Sequence, residues 1–416
     1  MESFRTSGSF IVTEKCTLRC KYCFENHDRV CSEDMTEEVA AAAVELLFEE
    51  AFRKPSNRSV HIMLFGGEPL MRPDICDFIL RKADELRKKT NIPVTASIIT
   101  NGTIMNNEIE LYIWRWKSMM PFSIQVSLDG CREAHDLYRV RADGTGSFDA
   151  IAKNIPTFAR FGQYTLHGCL NKMTMPLLYK SYRYFVDVFK HNGAIWYMPV
   201  HSEDWDANDV KVYDEQLGMI FEHETATLGT VSRYSPIDKL LSGNNDFHPC
   251  KNCGAGDSFI SFSPNGDIYP CHNFAFSKEV RPDLENPLVG NVLTVPFENQ
   301  KVLDMFAEAT NTKTGCADCP NTKCYRCYAD NWTHNGSIFD QIGKGGYRCE
   351  LSGVERKYQL KAVEWAQKHA KQNKGACDCG TKKDDKSDMI LQALGEMQNI
   401  TINLDNRLLK LEGGGA

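Results

Sequence analysis

The chain has 416 residues, a hydrophobic fraction of 42% and a net charge of −7, which suits two or three globular domains or one large barrel with an attachment. Its lysines and arginines are dispersed, which argues against a nucleic-acid binder. It opens on no signal segment and contains no apolar run long enough to span a membrane, so we expect a cytoplasmic protein with no membrane partner. In that reducing compartment, its 17 cysteines predict metal ligands or catalytic groups before disulfides.

From Ser9 to about His201, strand-like and helix-like segments alternate. Runs rich in β-branched and aromatic residues predict six strands, at 9–13, 60–65, 94–100, 122–128, 164–170 and 194–200. Segment 35–51 carries apolar residues at helical spacing, and Thr36 or Asp34 is its candidate cap. This alternation predicts a parallel sheet of βα units. Six units rather than eight predict an α/β fold with a partial (β/α)6 TIM-like barrel, open on one side.

The composition changes in the second half of the chain. Residues 250–349 hold eight cysteines with many glycines, prolines and short polar residues, which predicts little apolar core and folding around inorganic centres. Residues 353–372 have the pattern of an amphipathic helix. We therefore expect a barrel over 1–240, a cysteine-rich domain over 241–352, and a C-terminal helix and tail over 353–416.

Three cysteines follow the first predicted strand with the spacing C-x3-C-x2-C, at Cys16, Cys20 and Cys23. In a parallel barrel this loop lies at the carboxyl end of the strands, where active sites are built. Three thiolates can hold three corners of a [4Fe–4S] cluster and leave the fourth iron open for a small molecule. The alternative is a zinc site, whose fourth ligand would be Cys31 or His27.

Glycine-containing polar motifs follow the next three strands, and one further motif comes soon after. They read FGGEPL at 65–70, TNGT at 100–103, SLDG at 127–130 and HDLYR at 135–139. Each motif is weak evidence by itself, because Asn-Gly and Asp-Gly are common turns. Their occurrence at successive strand ends places polar groups around the cysteine loop.

These motifs together resemble the radical S-adenosylmethionine (SAM) enzymes. The resemblance implies that the amino and carboxylate groups of SAM chelate the open iron, and that SAM cleavage releases a 5′-deoxyadenosyl radical. It implies that Glu68 accepts from the SAM ammonium group and that an aromatic residue packs beside the adenine, although the two aromatic candidates would equally fit the core. The implied SAM-contacting residues are Tyr22, Phe24, Gly66, Gly67, Glu68, Asn101, Ser127, Asp129 and Arg139.

The second cysteine field resembles the SPASM extension of radical SAM enzymes. Cys253, Gly266 and Cys271 fit its C-x(9–15)-G-x4-C pattern, whereas C-x2-C-x4-C-x2-C at 316–327 is slightly shorter than the family spacing. The resemblance implies two auxiliary [4Fe–4S] clusters, and hence three clusters in all. Their implied ligands are Cys250, Cys253, Cys271 and Cys327 for the first, and Cys316, Cys319, Cys324 and Cys349 for the second. Two zinc sites in a non-catalytic module are the alternative.

SPASM-type enzymes act on peptides or proteins, and the resemblance implies the same here. His272 stands where the sulfatase-maturing branch has an aspartate base, so it is a candidate proton acceptor; equally, it could be a residue behind the active site or a surface histidine. We expect a maturase that forms Cys-sulfur-to-carbon thioether crosslinks in a ribosomally made peptide, most similar to sactipeptide and ranthipeptide (freyrasin-type) enzymes. The alternative is sulfatase-maturing-type oxidation of a Cys or Ser side chain in a protein.

The expected partners are a small Cys-containing precursor peptide with a leader, and an electron donor such as flavodoxin or ferredoxin. Because the first strand starts near Ser9, we expect no leader-binding domain before the barrel. Leader recognition would then fall to the tail, to the cysteine-rich region or to a separate protein.

Overall fold

The computed structural model describes residues 4–23, 33–53, 58–200, 203–231, 234, 254–275, 283–311, 327–339 and 347–374. A single sheet of nine strands forms its centre, in the order β6-β5-β4-β3-β2-β1-β7-β8-β9. The strands are β1 (Phe4–Ile11), β2 (Arg58–Phe65), β3 (Val94–Thr100), β4 (Phe122–Ser127), β5 (Thr165–Leu170), β6 (Ile195–Pro199), β7 (Phe259–Phe262), β8 (Asp267–Tyr269) and β9 (Gly290–Asn291).

Strands β1 to β6 lie in chain order and pair in parallel. The helical connections between them are those that parallel strands require. This confirms the predicted partial barrel, with each strand close to its predicted position. The main difference is that β1 begins at Phe4 rather than at Ser9.

The register separates an apolar face from a more polar face of the sheet. Phe10 pairs with Leu64, and Leu64 pairs with Ile98; all three are fully buried. The alternate positions, which point to the other face because side chains alternate along a strand, align Ser7 with His61 and His61 with Thr95. The apolar face therefore forms the core, and the polar face lines the inside of the partial barrel.

The helices connect the strands and cover the apolar face. The α-helices are α1 (Glu37–Phe52), α2 (Pro73–Thr90), α3 (Asn107–Met119), α4 (Arg132–His135), α5 (Phe148–Arg160), α6 (Leu178–Arg183), α7 (Ala207–Glu222), α8 (His272–Ala275), α9 (Gln300–Asn311), α10 (Tyr328–Asn335) and α11 (Tyr347–Lys374). A 3₁₀ turn over Pro69–Met71 precedes α2, another over Met175–Leu177 precedes α6, and π-helical turns over Tyr184–Val188 and His223–Leu228 extend α6 and α7.

Of the two cap candidates for α1, the structure selects Thr36. Its side chain accepts a hydrogen bond from the backbone N–H of Val39 at 3.2 Å, which satisfies one of the unpaired amides of the first turn. Asp34 instead accepts from Thr13 Oγ1 at 2.6 Å and from Lys15 Nζ at 2.7 Å. It therefore connects the chain before α1 to residues 13–15, which directly precede Cys16.

The expectation of little apolar core in 250–349 is wrong for the part that the structure describes. Phe262, Ile268 and Phe274 are fully buried, and Phe306 is 1% exposed. The reason is that β7 pairs in parallel with β1, so this segment extends the barrel sheet and shares its core. The prediction was based on the many cysteines and short polar residues of this segment, and it gave too little weight to a few large aromatic residues that are sufficient to form a core.

Helix α11 begins earlier than the predicted helix and packs on α7. Lys357 pairs with Asp214 at 2.8 Å, and the Tyr213 hydroxyl is hydrogen-bonded to Glu355 at 3.0 Å. Helix α11 includes residues 352 and 353, and β7 lies beside β1 in the barrel sheet. The domain boundaries stay a prediction. Within the described ranges, no helix combines the length and apolar character needed to cross a membrane.

Candidate active site

The cysteine loop, residues 16–23, leaves the carboxyl end of β1. Cys16, Cys20 and Cys23 are all partly exposed, and burial raises the pKa of the Cys20 thiol. The donor set, three thiols on one short loop, fits a cluster with three cysteine ligands. Among the described residues, however, no three His, Cys, Asp or Glu side chains are grouped so as to hold a metal ion. The ligand roles of these cysteines stay a prediction.

The two glycines of the FGGEPL motif bring the β2 loop against the chain that enters the cysteine loop. Gly67 N donates to Thr13 O at 2.8 Å, and Glu68 N donates to Lys15 O at 2.9 Å. A Cβ on Gly67 would lie 2.3 Å from Lys15 O, and one on Gly66, whose φ is +137°, would lie 2.4 Å from Thr13 O. Only glycine permits this approach. The close contact that the glycines allow is therefore with backbone just before Cys16.

Glu68 is fully buried beneath the cysteine loop. One carboxylate oxygen accepts from Leu70 N at 3.0 Å and from Thr100 Oγ1 at 2.7 Å, and the other accepts from Asn101 N at 2.7 Å. Burial raises the pKa of this carboxyl to about 7 although the three donors oppose the shift. Glu68 thus joins the carboxyl ends of β2 and β3. Its predicted contact with the SAM ammonium group is not tested.

The TNGT motif reaches the first cysteine directly. Asn101 Nδ2 donates to Cys16 Sγ at 3.5 Å and to Thr17 Oγ1 at 3.0 Å. Thr17 and Thr103 share a hydroxyl hydrogen bond of 2.8 Å, and Leu18 N also donates to Cys16 Sγ, at 3.4 Å. N–H donors directed at a ligand sulfur are typical of iron–sulfur sites, where they tune the cluster.

Asp129 forms the centre of a buried polar group on the other side of the loop. Its oxygen atoms accept from the Tyr22 hydroxyl, from Arg139 Nε at 2.8 Å and from Cys169 N at 2.9 Å. Asp129 and Arg139 are 2% and 7% exposed, so this ion pair is shielded from water. The structure therefore brings together three of the predicted SAM-contacting residues. Both Asp129 oxygens are already hydrogen-bonded to the protein.

The same region holds the cysteine loop by its backbone. Arg19 N donates to Val140 O at 2.7 Å, and Lys21 N donates to Tyr138 O at 2.9 Å. The ring of Tyr22 stacks on Tyr138 with a centroid distance of 5.7 Å. Three separate strand ends, those of β2, β3 and β4, thus fix the loop in place.

Two residues of β4 and β5 lie close to this polar group. Ser127 is 8% exposed and aligns with His167 on β5. Cys169 follows on the same face of β5, and Arg139 Nη2 lies 3.8 Å from its sulfur. Burial raises the pKa of the Cys169 thiol to about 12, so this thiol stays protonated at neutral pH.

His272 lies in an aromatic environment rather than in an open polar one. Its ring centroid is 4.6 Å from that of Phe65 and 5.7 Å from that of Phe259. Burial lowers the pKa of the imidazole to about 4, so the ring is neutral at physiological pH. Because Phe65 is the last residue of β2, His272 lies near the carboxyl end of the barrel, as a substrate-facing residue would. Its catalytic role stays a prediction.

Only three of the eight predicted auxiliary ligands fall within the described residues. Cys271 precedes α8, Cys327 precedes α10, and Cys349 lies in the first turn of α11. The other five, and one of the two candidates for packing beside the adenine, lie outside the described residues; they are Cys250, Cys253, Cys316, Cys319, Cys324 and Phe24. The number of auxiliary clusters stays a prediction.

The sequence interpretation left several contact residues without a role. Thr100 contacts Glu68, and Cys169 contacts Asp129. The buried residues His135 and Ser147 lie behind Arg139. Thr100 lies in the TNGT motif and His135 in the HDLYR motif, each beside or near a residue with a predicted SAM contact. This proximity in sequence is the signal that could have identified them. Ser147 lies in a separate turn, and no sequence pattern connected it to the site.

The cysteine loop thus lies at the carboxyl edge of six parallel strands. The family model described as Radical SAM superfamily matches residues 10–190. A cysteine-type anaerobic sulfatase-maturating enzyme of Clostridium novyi is 28% identical over 382 residues, which cover 85% of this chain and 97% of that relative. The antilisterial bacteriocin subtilosin biosynthesis protein AlbA of Bacillus subtilis is 24% identical, with 64% of this chain and 55% of the relative covered.

The solved structure of native anSMEcpe with bound AdoMet and Cp18Cys peptide has the same fold. Its TM-score is 0.66 at 19% sequence identity, with 88% of this chain and 99% of that chain covered. The residues that the family model matches include the cysteine loop and the four motifs at 65–139, and the solved structure shares the fold.

Proposed function

We propose that this protein is a radical SAM enzyme that forms a thioether bond between a cysteine sulfur and a carbon of a ribosomally made peptide. The observation that carries the radical SAM part is the cysteine loop, which three strand ends hold at the carboxyl edge of the barrel. Relatives whose names refer to sulfatase maturation and bacteriocin biosynthesis support a protein or peptide substrate.

In this proposal, Cys16, Cys20 and Cys23 hold the barrel cluster. When bound, the clusters and SAM would supply the removal of a hydrogen atom from a substrate carbon, and they would take up the electron released as the thiol loses its proton and the C–S bond forms. Two residues of this chain orient SAM: Glu68 accepts from its ammonium group, and Arg139 faces its carboxylate. Ser127 and Asn101 supply further polar contacts at neighbouring strand ends.

His272 is the proposed acceptor of the substrate thiol proton. Its position near Phe65 at the mouth of the barrel supports this role. A neutral imidazole can accept a proton, but a pKa of about 4 makes this one a weak base, so the transfer must accompany C–S bond formation rather than precede it. The barrel wall and the aromatic residues around His272 would exclude water from a reactive carbon radical. An auxiliary set of eight cysteines suits electron transfer to or from that site.

The second candidate is oxidation of a Cys or Ser side chain to an aldehyde. It is favoured by the sulfatase-maturating relative, because this chain covers 97% of that relative's length. The histidine at position 272, in place of the aspartate base expected for that branch, favours thioether formation instead.

Anaerobic reaction with a Cys-containing precursor peptide encoded beside the gene distinguishes thioether formation from oxidation to an aldehyde. The reconstituted enzyme, SAM and a reductant should give a product that has lost a pair of hydrogens per bond and that binds fewer alkylating groups. The His272→Asn variant should still form 5′-deoxyadenosine and lose most of the crosslinked product. An aldehyde trapped by a hydrazine would establish the second candidate instead, whatever the thiol count, because oxidation of a cysteine side chain to an aldehyde also consumes a thiol.

A further inference from the structure

The histidine of the HDLYR motif is buried behind the active site. His135 ends α4, is fully shielded from solvent, and packs edge-on to Phe148 at a centroid distance of 5.9 Å. Burial lowers the pKa of its imidazole to about 3. The ring is therefore neutral at physiological pH, with one nitrogen that donates a hydrogen bond and one that accepts.

The neighbours of His135 define which nitrogen carries the proton. Asp129 N donates to Nδ1 at 3.2 Å, so Nδ1 is the acceptor and Nε2 carries the hydrogen. Nε2 lies 2.8 Å from Ser147 Oγ and donates to it. Ser147 Oγ in turn donates to Arg139 O at 2.7 Å. A single imidazole thus connects the backbone of Asp129 to the backbone of Arg139, with the Ser147 hydroxyl between them.

The chain at Asp129 and the chain around Arg139 both form hydrogen bonds with the cysteine loop. Asp129 accepts from the Tyr22 hydroxyl, and the residues on either side of Arg139 accept from the loop amides of Arg19 and Lys21 at 2.7 and 2.9 Å. Every one of these contacts needs the 129–140 segment to keep its shape. That segment is also closed by backbone hydrogen bonds, among them Ala134 N to Cys131 O, and by the Asp129–Arg139 ion pair. The histidine adds the side-chain connection from Asp129 N through Ser147 Oγ to Arg139 O.

We propose that His135, acting through Ser147, is a positioning residue that holds the cysteine loop in the geometry required to bind SAM. The inference rests on the proposed function for the role of the loop, and it is independent of the reaction on the peptide. Small displacements of residues behind a metal site are known to weaken the site strongly. His135 therefore contributes to SAM binding without touching SAM.

Three variants of the full chain separate positioning from general packing. His135→Ala removes both hydrogen bonds. His135→Asn keeps an acceptor close to the place of Nδ1, facing Asp129 N, but is too short to reach Ser147. His191→Ala is the matched control, because His191 is 2% exposed and packs edge-on to Tyr164 at 4.6 Å, yet it precedes β6 and so lies at the opposite end of the sheet.

The first readout is amide hydrogen exchange of the protein without clusters. In His135→Ala, amides of residues 16–23 should exchange about tenfold faster, as expected when buried amides lose their partners, while strands β1 to β3 keep their protection. His135→Asn should fall between this variant and the wild type. His191→Ala should leave residues 16–23 unchanged.

The second readout is SAM cleavage by the reconstituted enzyme. His135→Ala should raise KM for SAM about tenfold, with a smaller change in kcat, and His135→Asn should recover part of the loss. Wild-type exchange in 16–23 together with a wild-type KM would overturn the proposal. Faster exchange spread equally over the whole chain would also overturn it, since that is a loss of stability only. If the wild-type enzyme cleaves no SAM, the proposed function fails, and the exchange data still decide whether His135 positions the loop.

Discussion

Substitution of Gly67 by alanine tests whether the β2 loop determines the position of the cysteine loop. The new Cβ would lie 2.3 Å from Lys15 O and 2.8 Å from Glu14 O, whereas a carbon and a carbonyl oxygen normally approach to no less than about 3.3 Å. Both neighbouring atoms belong to the backbone, so no side-chain rotation relieves the contact. The two loops must therefore separate by about 1 Å.

That separation breaks the hydrogen bonds from Gly67 N to Thr13 O and from Glu68 N to Lys15 O, which are 2.8 and 2.9 Å long. Each is worth about 1 kcal/mol net, and more if the amide is left unpaired, so Gly67→Ala should lower the free energy of unfolding by about 2–4 kcal/mol. Because Lys15 precedes Cys16, the variant should also bind less iron on reconstitution and cleave SAM more slowly.

The matched control is Gly353→Ala. Gly353 lies in α11, and a Cβ at this position would meet no atom of a neighbouring element within 4 Å, so alanine should stabilise the helix by about 0.5–1 kcal/mol. Urea unfolding of both variants, without clusters, should show a lower free energy of unfolding for Gly67→Ala and a higher one for Gly353→Ala. Equal unfolding midpoints for wild type and Gly67→Ala would refute the view that this close approach needs glycine.

Three further predictions concern the groups around the loop. The pKa of Glu68 rises from 4.5 to about 7 on folding, so its stabilising contribution is full below pH 4.5 and falls by about 3 kcal/mol as the pH rises to 7. In urea unfolding across this range, the free energy of unfolding of Glu68→Gln should therefore depend less on pH than that of the wild type. An equal pH dependence of the two proteins would contradict the pKa shift. Asn101→Leu removes the amide hydrogen bond to Cys16 Sγ, so a redox titration followed by EPR should find a lower barrel-cluster potential, and an unchanged one would exclude tuning by this amide. Replacing Cys16, Cys20 and Cys23 together by alanine should abolish 5′-deoxyadenosine formation while the iron of the second cysteine field remains; continued formation would reject these ligands.

The strands of the barrel were predictable because each is a short run of β-branched or aromatic residues bounded by turn formers. Helix α11 was predicted to start at Gly353, yet it starts at Tyr347. The difference arises because Cys349 was interpreted as part of a loop-rich cysteine field, although a single cysteine does not prevent a helix.

The contacts within the site were less predictable than its location. The motif glycines were expected to approach a ligand, and the structure shows them against backbone at Thr13 and Lys15. Nothing in the sequence reveals which chain segment faces a glycine, because that depends on how consecutive βα loops meet at one edge. The same holds for His135, whose partners Asp129 and Ser147 lie six and twelve residues away and meet only when the loop closes.

The pairing of β1 with β7 has a consequence for how the chain folds during synthesis. The Ser261 hydroxyl donates to Ser9 O across 252 residues of sequence, so β1 stays at the edge of the growing sheet until the ribosome has made β7. An unpaired edge strand is prone to associate with other chains, and such distant pairing is slow to form. A fragment that ends before Gly254 should therefore aggregate even though it contains all six barrel strands.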